Sequence, residues 1–156
     1  MKRIGLVAAG MMLLAPSAVA QTAEEEVEQA VQTWYQSLRD GDAATYASLW
    51  VSGDYQVAGN FLRTGTLRST PSPGVNLQPY FDAGGSFQLN VRNLDVAVYG
   101  NAAVATFYTV GPQNFPDGTV LAGTFRVTIV FVRQGQAWKG AHFHVSPLET
   151  MPLRTS

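Results

Sequence analysis

Apolar residues recur at helical spacing near the start of the chain. Val27, Val31, Trp34 and Leu38 follow one another at intervals of three and four, with Ala30 and Tyr35 beside the stripe. This spacing predicts an amphipathic helix over Ala23–Asp40. Thr22 can cap its start, and Glu24, Glu25 and Glu26 fall in the first turn, where the helix dipole favours anions. Gly41 is placed to end it. A second, shorter helix is predicted over residues 43–49 or 43–50, capped by Asp42.

Beyond residue 52 the period changes to two. Residues 55–58 predict a short strand and 61–67 a weak hairpin around Gly65. Residues 69–79 hold three prolines and a glycine, and read as a loop at the rim of any pocket. Residues 80–83 read as a helical turn, ended by Gly84-Gly85. Longer strands are predicted over 87–98, 102–110, 119–133 and 137–145, with a turn at Gly100-Asn101 and a loop over 111–118. Two helices followed by a mostly antiparallel sheet make an α+β chain.

The last two strands carry the candidate chemistry. A three-residue connection, Arg133-Gln134-Gly135, suits a type I turn with a glycine bulge. That register sets Phe125 opposite Phe143, Val127 opposite Ala141, Arg126 opposite His142 and Thr124 opposite His144. One face is then apolar, with Phe125, Val127, Ile129, Phe131, Ala141, Phe143 and Val145. The other carries Thr124, Arg126, Thr128, Trp138, His142 and His144.

His142 and His144 are the only histidines. As metal ligands they lack a third nitrogen or sulfur partner, and only a carboxylate such as Glu149 is at hand. Arg126 across the strand would repel a cation. As acid–base groups they have no nucleophile motif beside them. The remaining reading is a hydrogen-bonded surface or a subunit contact. No metal and no cofactor is expected.

The N-terminus changes the picture of where the protein works. Lys2 and Arg3 precede an apolar run over residues 4–14, followed by small residues at Ala18 and Ala20. This three-part pattern is that of a secretory signal peptide over residues 1–20, cleaved after Ala20. The run is too short to remain as a membrane span. One domain over residues 21–156 is left, destined for the periplasm or the medium. Without Lys2 and Arg3 it has 8 basic and 11 acidic groups and a formal charge of −3. Nucleic acid and anionic membranes are poor partners for such a chain. With no cysteine, disulfides and thiolate chemistry are excluded and stability rests on the core.

The stretch "AVATFYTV", a loop ending in "DGT" and then "GTFRVTIVFVRQGQAWKGAHFHVS" resemble the nuclear transport factor 2-like superfamily, its SnoaL-like branch above all. The association domain of calcium/calmodulin-dependent kinase II is similar too. The resemblance covers residues 24–147. It implies a cystatin-like α+β roll: a cone-shaped, curved sheet with the N-terminal helices on its concave face. The pocket between them would draw on Trp34, Tyr46 and Trp50 from the helices, Tyr55 and Tyr108 as hydroxyl carriers, and Ile129, Phe143 and Val145 from the strands.

The same resemblance implies a homodimer through the convex face, with Arg126, Trp138, His142 and His144 as interface candidates. Activities in the superfamily include isomerases, cyclases and dehydratases beside non-catalytic modules. The steroid-isomerase type needs an aspartate base and an oxyanion hole, and Asp54, Tyr46, Tyr55 and Tyr108 do not fall into that pattern. Positions of the pocket arginines in the kinase domain carry Tyr108, Ile129 and Val145 here. A small apolar ligand without catalysis is therefore expected first, an isomerase-like enzyme second and a metal protein third.

Export is testable directly. Sequencing the N-terminus of the secreted protein should give Gln21 or its cyclised form, and a mature protein beginning at Met1 would reverse the compartment.

Overall fold

A computed structural model describes residues 21–52, 55–59, 68–70 and 74–148, with the backbone alone for 55–59, 68–70 and 74–76. The leader, the 61–67 hairpin, Asp54 and the Tyr55 side chain lie outside the described residues.

Helix α1 (Ala23–Asp40) begins with a capping box. The Thr22 hydroxyl accepts from the Glu25 backbone N–H, and the Glu25 carboxylate accepts from the Thr22 N–H. It ends at Gly41, whose left-handed backbone (φ 71°) directs its N–H to the Ser37 carbonyl. Helix α2 (Ala43–Ser48) is capped by Asp42, which accepts from the Thr45 N–H at 2.8 Å. Strands β1 (Tyr55–Gly59) and β2 (Arg68–Thr70), helix α3 (Gly74–Asp82), and strands β3 (Ser86–Phe87), β4 (Asn90–Tyr99), β5 (Ala102–Asn114), β6 (Val120–Gln134) and β7 (Ala137–Pro147) complete the described elements.

Their order in the sheet is β2-β1-β7-β6-β5-β3, with β4 also paired to β5. Every pairing is antiparallel except β1 with β7. The α+β class with a mostly antiparallel, curled sheet is therefore as expected. Among the described residues, no helix is long and apolar enough to cross a membrane.

The apolar stripe of α1 packs on one face of the sheet. Val27, Val31 and Trp34 are completely buried, as are Ala103, Ala105, Ile129 and Phe131. Where β3 gives way to β4 the edge bends around Gly111, and Gln88 donates its N–H to the Pro112 carbonyl. A Cβ on Gly111 would lie 2.1 Å from the Gln88 carbonyl oxygen, so a side chain there would prevent the bend. The strand predicted over 87–98 is split here into β3 and β4, and β5 runs on through 111–114 where a loop was expected.

Two further expectations fail. Residues 74–79 are helical, because Leu77, Tyr80 and Phe81 form a short stripe that the prolines obscure. Pro79 sits inside α3 and still accepts from the Ala83 N–H.

The second failure is the register of the last hairpin. Its loop is two residues, Gly135-Gln136, with Gln134 opposite Ala137 and Gly135 at φ 63°. Ile129 then faces Phe143, Thr128 faces His144 and Val130 faces His142. Arg126 stands opposite Ser146, not His142. A bulge between Val130 and Phe131 leaves one extra residue on β7, Ala141, and reverses the alternation before it. Trp138 is thereby moved to the helix side of the sheet. It is 4% exposed, and its indole N–H donates to the Glu26 carboxylate at 3.0 Å. The Arg133 guanidinium lies 4.8 Å from the centre of the Trp138 ring and pairs with the same carboxylate. Trp138 is a core residue and is removed from the interface candidates.

This tie between α1 and the hairpin predicts that Trp138→Ala will cost about 3–5 kcal/mol in urea unfolding, as for other buried aromatics. Glu26→Gln should cost about 1–2 kcal/mol, since one partly buried carboxylate serves two donors. A Trp138→Ala protein as stable as the parent would refute the tie.

Candidate functional site

Between the helices and the sheet is a cavity of about 340 Å³. Helix α1 gives Trp34, Tyr35 and Leu38 to its wall, α2 gives Tyr46 and α3 gives Leu77. Phe87 and Leu89 close one side, and β5 adds Thr109 and Gln113. Phe115, Phe125, Phe143 and Val145 complete it. None of these side chains is charged. Among the described residues, the polar side-chain groups of the wall are the hydroxyls of Tyr35, Tyr46 and Thr109, the Gln113 amide and the Trp34 indole N–H.

The local sequence explains these positions. Trp34, Tyr35 and Leu38 share the buried stripe of α1, and its aromatic members are held by other rings. Trp34 meets Tyr46 edge-on with centroids 5.3 Å apart, and Tyr35 meets Phe107 edge-on at 5.4 Å. Burial, with the neighbouring Tyr46 as a smaller cause, pushes the Tyr35 phenol well above its ordinary pKa. Tyr35 thus stays neutral and keeps a proton to donate. On the far wall the Gln113 amide donates to the Tyr80 hydroxyl at 3.4 Å, and Tyr80 donates to the Asn114 carbonyl. Helix α3 is joined in this way to the strand that carries Gln113.

The sequence-derived pocket residues divide accordingly. Trp34, Tyr46, Phe143 and Val145 reach the cavity. Trp50 and Ile129 are buried behind it, Trp50 with its ring 4.5 Å from that of Trp34. Tyr108 is on the opposite face of the sheet, opposite Arg126, and 36% exposed; it is no part of the pocket. Alternation along β5 could have shown this, because Thr109 and Tyr108 are adjacent and must point to opposite faces. Leu77 was hidden by the reading of its segment as a loop. Tyr35 and Phe125 were legible as inward positions but not as cavity walls, and Thr109 was missed because Tyr108 was placed in the pocket.

His142 and His144 lie on the convex face, with His144 the more exposed. Partial burial first, and the neighbouring His144 second, lower the His142 pKa and favour its neutral form. Among the described residues no group of three His, Cys, Asp or Glu could hold a metal ion.

No individually curated protein matches the chain significantly in sequence. Solved structures do match in fold. A nuclear transport factor 2-like family protein from Streptomyces avermitilis is similar with a TM-score of 0.66 and 21% identity, over 81% of this chain and 96% of that one. One from Novosphingobium aromaticivorans, described as having a cystatin-like fold, is similar at 0.60 and 17%, over 81% and 82%. The association domain of calcium/calmodulin-dependent kinase II from C. elegans is similar at 0.61 and 18%, over 78% and 93%. The model of the SnoaL-like domain matches residues 27–150, and the chain belongs to that family.

Proposed function

We propose that this is an exported SnoaL-like domain that binds an uncharged, mainly apolar small molecule in the cavity between helices and sheet. The observation that carries the reading is the composition of the wall among the described residues: aromatic and aliphatic side chains, no charge, and a few hydroxyl, amide and indole N–H groups. Such a site gains from burying apolar surface and uses its few polar groups to orient the ligand. A carboxylate or phosphate would lose its hydration there without a cation in return.

An isomerase, cyclase or dehydratase needs a group that moves a proton. Among the described residues the wall offers no carboxylate and no imidazole to act as the base, and burial keeps the Tyr35 phenol protonated, which favours binding over catalysis.

We propose also that two copies pair through the convex face, led by His142 and His144 on β7. The supports are the structural likeness to a domain named for association and the apolar residues on this face, with Val110 40% and Val120 58% exposed.

Displacement of an uncharged fluorophore such as N-phenyl-1-naphthylamine can test the cavity. Neutral cyclic ketones and terpenoids should compete, and Leu77→Trp, which fills the space, should abolish binding while the fold is retained. Stabilisation by dicarboxylates that Leu77→Trp abolishes, with none by neutral compounds, would overturn the reading. For pairing, sedimentation should show a dimer that His144→Glu shifts towards monomer, and a parent protein that remains monomeric at high concentration would refute it.

A further inference from the structure

The convex face carries a second depression, of about 200 Å³, on the side of the sheet away from the cavity. Asn93, Thr106, Phe107, Tyr108, Arg126, Val127 and Thr128 line it, and all but Phe107 and Val127 carry polar side chains. Two neighbouring rows of the sheet place them. Arg92, Tyr108 and Arg126 stand opposite one another across β4, β5 and β6. In the next row Thr106 faces Thr128.

The fifth residue arrives by a different route. β4 bulges between Arg92 and Asp95, and Asn93 there takes a left-handed backbone with φ 52°. Asparagine tolerates that conformation better than most residues, and it is the only non-glycine residue with positive φ among those described. The bulge brings its amide into the wall of the depression.

Donors dominate this set. Arg126 has no carboxylate partner among the described residues. Three hydroxyls and one amide surround it; Arg92, one strand beyond Tyr108, is outside the lining and its guanidinium donates to the Val91 carbonyl at 2.9 Å. Asp95, opposite Thr106, is the one carboxylate on these rows, so the local charge stays positive. An uncommitted arginine fork in a hollow lined by hydroxyl donors matches an anion whose oxygens point in several directions. We infer that the depression is a binding site for a tetrahedral oxyanion of the phosphate or sulfate type, free or as the head group of a small ester. Arg126 supplies the charge, Tyr108, Thr106 and Thr128 donate from the sheet, and Asn93 donates from the bulge. The site is independent of the cavity and of what the cavity holds; it lies on the face proposed for pairing, with Thr128 opposite His144, so phosphate is expected to compete with the dimer.

Calorimetry of the mature protein with inorganic phosphate, and separately sulfate, tests this at ionic strength held constant with chloride. Saturable binding of one anion per chain is expected. Arg126→Gln should weaken it by about tenfold or more, the scale of one lost charge-assisted contact. Arg126→Lys should restore part of the loss, and Thr128→Val should weaken binding less than Arg126→Gln. Arg126 and Thr128 are outside the core, and an unchanged circular dichroism spectrum and cooperative thermal unfolding would certify that each variant is folded. Phenyl phosphate competing as well as inorganic phosphate would identify an ester head group as an acceptable form, and competition by inorganic phosphate alone a free anion; either supports the site. Heat no larger than that from chloride, or binding that survives Arg126→Gln, overturns it.

Discussion

The contact between Trp34 and the backbone of Gly140 governs the arrangement of the helices on the sheet. A Cβ at position 140 would lie 2.6 Å from the Trp34 ring, so only glycine lets the indole come so near β7. The same glycine also binds the chain leaving α2, accepting from the Val51 N–H and donating to the Leu49 carbonyl. One residue thus receives the largest side chain of α1 on its face and the end of α2 at its edge. Trp34 then gathers Tyr46, Trp50, Phe131 and Phe143 around itself. With this end of the sheet filled by aromatic rings, the cavity is left beyond them, towards Phe87, Thr109 and Phe115.

The bulge at Ala141 is the companion constraint. It allows Trp138 and Gly140 to face the helices while Phe143 and Val145, three and five residues after Gly140, do so as well. Strict alternation would have sent one of these pairs to solvent. The bulge therefore lets a single strand anchor α1 twice: through Gly140 against Trp34, and through Trp138 against Glu26.

The first two helices, their caps and the succession of the long strands were legible in the sequence because each depends on local spacing. Val27, Val31, Trp34 and Leu38 can share a helix stripe in only one way, and Thr22 and Gly41 bound it. The bulge was not legible. The expected three-residue turn and the actual two-residue turn both put a glycine at a permissive position, and the apolar pattern of residues 143–145 is satisfied by either register. The difference appears over residues 138–141, above all at Trp138, which donates to a partner more than a hundred positions away. The cavity shares this non-local character. Leu77, Tyr46 and Thr109 come from three elements, and no spacing connects them.

Alternation on β5 keeps two different chemistries apart within one thin layer. Thr109 and Tyr108 are neighbours in the chain. The first is 1% exposed and lines the uncharged cavity, whereas the second is 36% exposed and stands beside Arg126. On β6, Phe125 and Val127 point to the helices, and Arg126 between them points outwards. The uncharged interior therefore does not require an uncharged protein. It requires that every arginine of these central strands occupy an outward position or, like Arg133, meet a carboxylate. Tyr35 shows the internal side of the same rule: burial raises its pKa and the phenol stays neutral, so this hydroxyl of the wall adds no charge. The uncharged wall of the cavity and the arginine-bearing convex face can coexist because successive residues of a strand point to opposite faces, and a one-residue slip would exchange the two.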